Sequence, residues 1–272
     1  MARIEVRNVT KVFGRNEAAA LALAGQGIGK LDILARTGCS LGLHDVCLEI
    51  PSGEIFVLMG LSGSGKSTLV RHLNRLIDPS RGAILFEGQD IMGFDARALR
   101  AFRRRSVSMV FQGFGLLPHR TVLQNVAFGL TTRGEHRNAA YPKAMRWIET
   151  VGLTGYEAKY PAELSGGMRQ RVGLARALAS DPDVILMDEA FSALDPVIRL
   201  EMQDLLLELQ RTLKKTIVFV THDLDEAVRI GAQVAVMKDG QVVQVGAPQT
   251  ILEHPADDYV ARFVRNGAHQ NL

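Results

Sequence analysis

The chain has 272 residues, 47% hydrophobic and 22% charged, which is the composition of a globular protein with ample core. Its 32 basic and 29 acidic residues leave +3, too mild and too scattered for a nucleic-acid-binding tail. Two cysteines, Cys39 and Cys47, make neither a disulfide framework nor a metal spacing and are expected to be reduced cytosolic thiols, while no signal peptide or membrane span is legible.

Arg3 to Phe13 alternates apolar and polar residues, as a half-buried strand does. Residues 14–43 fit less neatly. Within them EAAALALAGQGIGKLDILARTG predicts two short helices broken at Gly25 to Gly29, an insertion whose simplest role is packing. Asp45 to Ile50 is a second strand, and PSGE is the turn after it. Glu54 to Gly60 is a short continuous apolar run, as expected of a buried parallel strand. STLVRHLNRLI reads as a helix with Leu69, Leu73, Leu76 and Ile77 on one face, and GAILFEGQDI returns to strand pattern. Arg100, Arg103, Arg104 and Arg105 are most simply a solvated helix face, with an acidic partner as the other reading.

Residues 114–178 are mostly helical in pattern. Strand and helix then alternate again: VILMDE, a helix from Val197 to Leu213, TIVFVTHD, a helix from Leu224 to Ile230, and the hairpin QVAVMKDGQVVQVG turning at Asp239-Gly240. The expectation is a single α/β domain over residues 1–272. It has a parallel sheet, a helical insert, antiparallel strands at either end and a C-terminal extension over 240–272.

Gly60-Leu61-Ser62-Gly63-Ser64-Gly65-Lys66-Ser67 is G-x-x-x-x-G-K-S between a buried strand and a helix, the context a phosphate-binding P-loop requires. Backbone N–H groups and the helix dipole face the phosphates, and Thr68 closes the motif. Lys66 is expected to reach the β- and γ-phosphates, and the Ser67 hydroxyl to ligate Mg²⁺. In VILMDE, four apolar residues bury a strand and two acids emerge at its carboxyl end, where α/β sheets place ligands. Asp188 would hold Mg²⁺ through water and Glu189 would activate the attacking water; capping of the next helix is the plainer alternative. Gln112, closing SMVFQ, can meet Mg²⁺ or that water. His222 ends TIVFVTH in the same way, a position where a histidine is more often structural than catalytic. A second glycine-rich helix start, LSGGMRQR, runs from Leu164 to Arg171 with neither a lysine nor an acidic strand end of its own.

GLSGSGKST, VFQ, LSGGMRQR, VILMDE, SALD and the His of VTHD together resemble the ATPase subunits of ABC transporters over essentially the whole chain. The resemblance implies a P-loop NTPase (RecA-like) core, Mg-ATP as the bound nucleotide, and a head-to-tail dimer. ATP hydrolysis would drive integral membrane permease subunits served by an extracytoplasmic binding protein, with the chain peripheral on the cytoplasmic side of the plasma membrane.

Residue by residue, Phe13 resembles the aromatic that stacks on adenine, or else is a core aromatic at a strand end. Gly60 to Thr68 hold the phosphates, with Ser67, Gln112 and Asp188 about Mg²⁺. His222 orients the γ-phosphate and Glu189. Leu164, Ser165, Gly166 and Gly167 face ATP held by the partner chain, while Ser192 and Asp195 of SALD face the dimer interface. Gly113 to Leu130 resembles the surface contacted by the permease, although Leu116, Leu117 and Pro118 suit this chain's own core equally well.

KVFG, the insertion with its TG-SLG-HDV stretch, MVFQGFGLLPHRTVLQNVAFGL and MDEAFSALDPVIRLEMQ look like the glycine betaine/proline importers and their choline and histidine relatives. Two features depart from the wider pattern. Met168 stands where most cassettes carry Gln, and the sequence ends soon after PADDYVARFV, so osmotic gating through C-terminal CBS domains is not expected. An ABC ATPase acting on nucleic acid or ribosomes is the main rival. It is disfavoured because the chain has one uninterrupted cassette, no heptad run and no basic stripe.

Overall fold

The computed structural model describes residues 3–113 and 115–268; Phe114 of the expected helical insert and residues 269–272 of the C-terminal extension lie outside the described residues. The chain forms two compact bodies, Ala2–Asp95 with Val220–Leu272, and Ala96–Phe219.

The first body opens with β1 (Ile4–Phe13), followed by α1 (Glu17–Gly25), α2 (Lys30–Thr37) and β2 (Ser40–Ile50). Next come β3 (Ile55–Met59), α3 (Lys66–Leu73), β4 (Arg81–Phe86) and β5 (Gln89–Asp90). An antiparallel sheet runs β2-β1-β4-β5. The two insertion helices are where the sequence puts them. They are not a loose loop, because Ala20, Ala24 and Ile33 pack with Val12, Cys39 and Leu41 in a small core of their own. Gly38, left-handed at φ 68°, ends α2, and β2 begins at Ser40, earlier than the Asp45 expected. Leu41 and Leu43 already alternate inward there, which recruits these residues to the sheet.

Two element boundaries differ from the sequence reading. α3 stops at Leu73, not Ile77, because Arg75 turns left-handed (φ 52°) and its guanidinium donates to the Ile91 and Phe94 carbonyls at 3.1 and 2.8 Å. Leu76 is left outside the helix, half exposed. GAILFEGQDI is not one strand: Glu87 (φ 52°) and Gly88 (φ 80°) turn it into the β4–β5 hairpin.

The second body contains α4 (Ala96–Arg105), β6 (Val107–Phe111), α5 (Val122–Val126), α6 (Phe128–Thr132), α7 (Arg137–Thr150), α8 (Gly166–Ala179), β7 (Val184–Asp188), α9 (Pro196–Leu213) and β8 (Thr216–Thr221) as far as Phe219. β6 runs parallel to β7, from Val107 opposite Val184 to Phe111 opposite Asp188, and β8 flanks β7. Every residue of β7 is buried, which is why it reads as an unbroken apolar run. The helical insert closes over its own core of Val126, Ala140, Ala144, Ile148, Val172 and Ala175. Arg103, Arg104 and Arg105 lie on the exposed side of α4 while Phe102 is buried, as a solvated helix face requires.

Beyond β8 the chain is again in the first body, with α10 (Leu224–Ile230), β9 (Gln233–Lys238), β10 (Gln241–Gly246), α11 (Pro248–Glu253) and α12 (Asp258–Ala268). β3 runs parallel to β9, and β9 turns into β10 through Asp239 and Gly240, both left-handed. The expected α/β class, with parallel strands, an antiparallel sheet and a helical insert, is the observed one.

Candidate nucleotide site

In the first body β3 delivers the chain into the glycine loop and α3 takes it out. Gly60 has φ +153°, and a Cβ there would lie 2.3 Å from the Met237 carbonyl. At Gly65 (φ +105°) a Cβ would lie 2.9 Å from the Gly42 carbonyl. Only glycine passes at these two points. The loop is tied to the β9–β10 turn by the Gly240 N–H, which donates to the Ser64 carbonyl at 2.9 Å. Lys66, the first residue of α3, is 4% exposed, and its Nζ donates to the Gly60 and Leu61 carbonyls at 2.8 and 2.9 Å. The ammonium is therefore folded back over the loop. Ser64 Oγ is buried with no hydrogen-bond partner among the described residues. Tyr259 of α12 braces the same turn: its hydroxyl accepts from the Leu61 N–H at 3.4 Å and donates to the Met237 carbonyl at 3.2 Å. Burial pushes the Tyr259 phenol above its ordinary pKa. No local signal in the sequence connects Tyr259 to the loop.

In the second body Asp188 ends β7, 5% exposed, and Glu189 follows it in the left-handed region at φ 47°. A non-glycine residue held there costs on the order of 1–3 kcal/mol and persists only where its surroundings over-determine it. Here Ser192 Oγ donates to the Glu189 carbonyl at 2.9 Å. Gln112 follows β6, the neighbouring strand, and its Nε2 donates to Glu189 Oε2 at 3.4 Å. Parallel pairing of two strand ends thus brings together side chains far apart in sequence.

The second glycine-rich helix start, the signature loop Leu164 to Gly167, is built differently. Ser165 caps α8 by accepting from the Met168 N–H at 3.3 Å, an arrangement worth about 0.5–2 kcal/mol. A Cβ at Gly167 would lie 2.5 Å from Ile198 Cγ2, so bare backbone is needed against α9. The Met168 side chain packs against the helical core, and Leu164 is buried in it. Asp195 caps α9, accepting from the Ile198 N–H at 3.1 Å.

Of the remaining candidates, Phe13 is not a core aromatic. It is 41% exposed at the end of β1, against Gly42, where a Cβ would meet its Cε2 at 2.6 Å. The Lys11 ammonium lies 5.4 Å from its ring centroid. His222 is exposed in the first body, between a buried Thr221 and Asp223, which caps α10 through the Asp225 and Glu226 N–H groups. The second body also holds an open cleft of about 420 Å³ lined by His119, Arg120, Gln124, Thr131, Arg137 and Tyr141, within and beside the segment expected to dock a permease.

The residues present fit a nucleotide triphosphate. The loop has glycines where a Cβ would collide with the Met237 and Gly42 carbonyls, a lysine held by the loop's own carbonyls and a helix N-terminus at its end. Among the described residues no three His, Cys, Asp or Glu side chains converge as a metal cluster. Mg²⁺ characteristically takes one or two protein groups and completes its shell with phosphates and water. Among the described residues no helix is long and apolar enough to cross a membrane.

A strand–glycine loop–helix unit with a buried lysine, an acidic strand end and a serine-capped signature helix define an ATP-binding cassette, and the chain belongs to the ABC transporter family, which matches residues 43–192. It is 53% identical over 98% of its length to the glycine betaine/carnitine transport ATP-binding protein GbuA of Listeria monocytogenes, covering 67% of that protein. To the glycine betaine/proline betaine transport system ATP-binding protein ProV of Escherichia coli it is 56% identical over 97% of its length, covering 66%. The chain spans about two thirds of the length of these relatives. Its fold is similar to that of the ATP-binding cassette MJ0796 in a dimeric post-hydrolysis state bound to ADP and Pi. The TM-score is 0.76, with 30% identity, covering 90% of this chain and 98% of that one.

Proposed function

We propose that this chain is the nucleotide-binding subunit of an importer and hydrolyses Mg-ATP to drive uptake of a quaternary ammonium compound, or of a related amino acid such as proline. The observation that carries the chemistry is Lys66, buried and held over the glycine loop by the Gly60 and Leu61 carbonyls. The solute class rests on the likeness to the two betaine transport proteins. Specificity for the individual solute lies with a permease and an extracytoplasmic binding protein.

Phosphates lie on Gly60 to Thr68, and Lys66 reaches the β- and γ-oxygens. Phe13 offers its exposed face to the adenine. Ser67, Gln112 and, through water, Asp188 would hold Mg²⁺, which would neutralise phosphate charge. Glu189 takes the proton of the attacking water, and Gln112 Nε2 donates to its carboxylate. His222, exposed on a backbone fixed by its neighbours, orients the γ-phosphate. Leu164, Ser165, Gly166 and Gly167 complete the site on a second chain, with Ser192 and Asp195 at the interface. ATP thus favours the closed dimer, and hydrolysis releases it. The dimer acts on the cytoplasmic face of the plasma membrane, and the cleft by His119, Arg120 and Arg137 receives a permease loop. Leu116 packs on the helical core, so this docking reading rests on the cleft and not on the apolar run.

Glu189→Gln should bind ATP with parent affinity, lose turnover by roughly 10²–10⁴-fold, and accumulate as an ATP-bound dimer. Phosphate release at the parent rate from that variant removes Glu189 as the base.

A further inference from the structure

The insertion between β1 and β2 has a role beyond packing. It is fixed at both ends: Gly14, at φ +141°, abuts Cys39 so closely that a Cβ would lie 2.5 Å from Cys39 Sγ. Between these ends α2 is clamped by Ile33, which is fully buried. Lys30 stands three positions before Ile33, on the neighbouring helical face, so the burial that seats Ile33 also turns Lys30 towards the body. Leu31, a step round the helix, is 80% exposed. Lys30 Nζ reaches the Gly63 carbonyl in the middle of the glycine loop, at 3.4 Å.

That contact is at the long end for a hydrogen bond and uses one of three ammonium donors. Lys30 forms no ion pair among the described residues. Gly63 itself is left-handed at φ +78°, and a Cβ built on it meets nothing within 4 Å, so the loop is open on that side. A lysine on a helix seated by Ile33, with no ion-pair partner among the described residues and its ammonium at the Gly63 carbonyl of the phosphate loop, leaves two donors for an incoming anion.

We infer that Lys30 is a second phosphate-binding cation, which the insertion supplies to the nucleotide triphosphate on Gly60 to Thr68. The inference rests on the reading of that loop as the ATP site. Its charge acts through partly solvated space, so the contribution is a modest one that salt weakens, and it grows with the number of phosphates.

The test is calorimetric titration of the purified chain with ATP and with AMP, at low and at high salt. It uses the parent, Lys30→Gln, Lys30→Arg, Lys30→Glu and, as control, Lys66→Ala. Lys30→Gln should weaken ATP binding roughly three- to tenfold at low salt. High salt should shrink the loss, AMP should feel less of it, Arg should restore the parent affinity, and Glu should weaken ATP further than Gln. Parent-like ATP affinity in Lys30→Gln and Lys30→Glu, or equal losses for ATP and AMP with melting temperature unchanged, overturns the role of Lys30. If Lys66→Ala binds ATP as the parent does, it is the loop reading that fails.

Discussion

The glycine loop at Gly60 to Ser67 and the signature loop at Leu164 to Gly167 both open a helix, yet they are finished differently. The first spends its glycines on left-handed backbone (Gly63, Gly65) and a lysine sits at the first helical position. The signature loop has ordinary helical geometry, a serine cap, and a glycine needed for the approach of α9. One is shaped to surround an anion, and the other presents a serine-capped helix end. The difference explains how one chain can hold two such loops without two nucleotides: the signature loop lacks the parts of an independent phosphate site and is proposed to complete the site of another copy.

The sharpest way to break the comparison is at Lys66. Lys66→Ala leaves two loop carbonyls without their charged donor and removes the main cation of the site. ATP affinity should fall roughly 30-fold or more by calorimetry. A matching loss from a signature-loop variant would erase the distinction. Gly167→Leu should instead destabilise the second body by about 1–3 kcal/mol through the clash with Ile198, read in thermal melts. ATP-driven dimers should be lost while the isolated chain still binds ATP. Ser165→Ala should cost about 0.5–2 kcal/mol, and Ser165→Thr less, because a threonine still caps.

The smallest effect is on pH dependence. Burial lowers the pKa of His72 on α3, whose Nδ1 lies 2.6 Å from the Thr68 carbonyl and whose buried Nε2 has no partner among the described residues. The folded chain therefore binds fewer protons than the unfolded one as acid is added. The stability due to His72 is complete above the ordinary imidazole pKa of about 6.5 and is lost as pH falls towards the lowered folded value. Melts of the parent should drop more steeply than those of His72→Gln as pH falls below about 6.5.

The local parts of both loops were legible in sequence because motif and backbone requirement coincide. The phosphate-loop motif calls for glycine at Gly60 and Gly65, although the Met237 and Gly42 carbonyls that also demand it are distant in sequence, and Ser165 precedes an apolar helical pattern as a cap does. What stayed hidden was set by distant residues. α3 ends early because Arg75 finds carbonyls at Ile91 and Phe94. The left-handed turn of Glu189 has no local mark such as a glycine. Lys30 and Tyr259 reach the glycine loop across 33 and 198 residues, through an insertion and a terminal helix with no phosphate motif of their own.

The central claim, that the two loops serve one nucleotide from two chains, is tested most directly by mixing two defective variants. Lys66→Ala and Gly167→Leu chains should each be inactive alone, in single-turnover ATP cleavage. In a mixed dimer, one site joins the intact glycine loop of the Gly167→Leu chain to the intact signature loop of the Lys66→Ala chain. The account predicts that mixing restores ATP cleavage. Cleavage that stays absent in the mixture, with mixed dimers present, would mean that each chain uses its own two loops, and would contradict it.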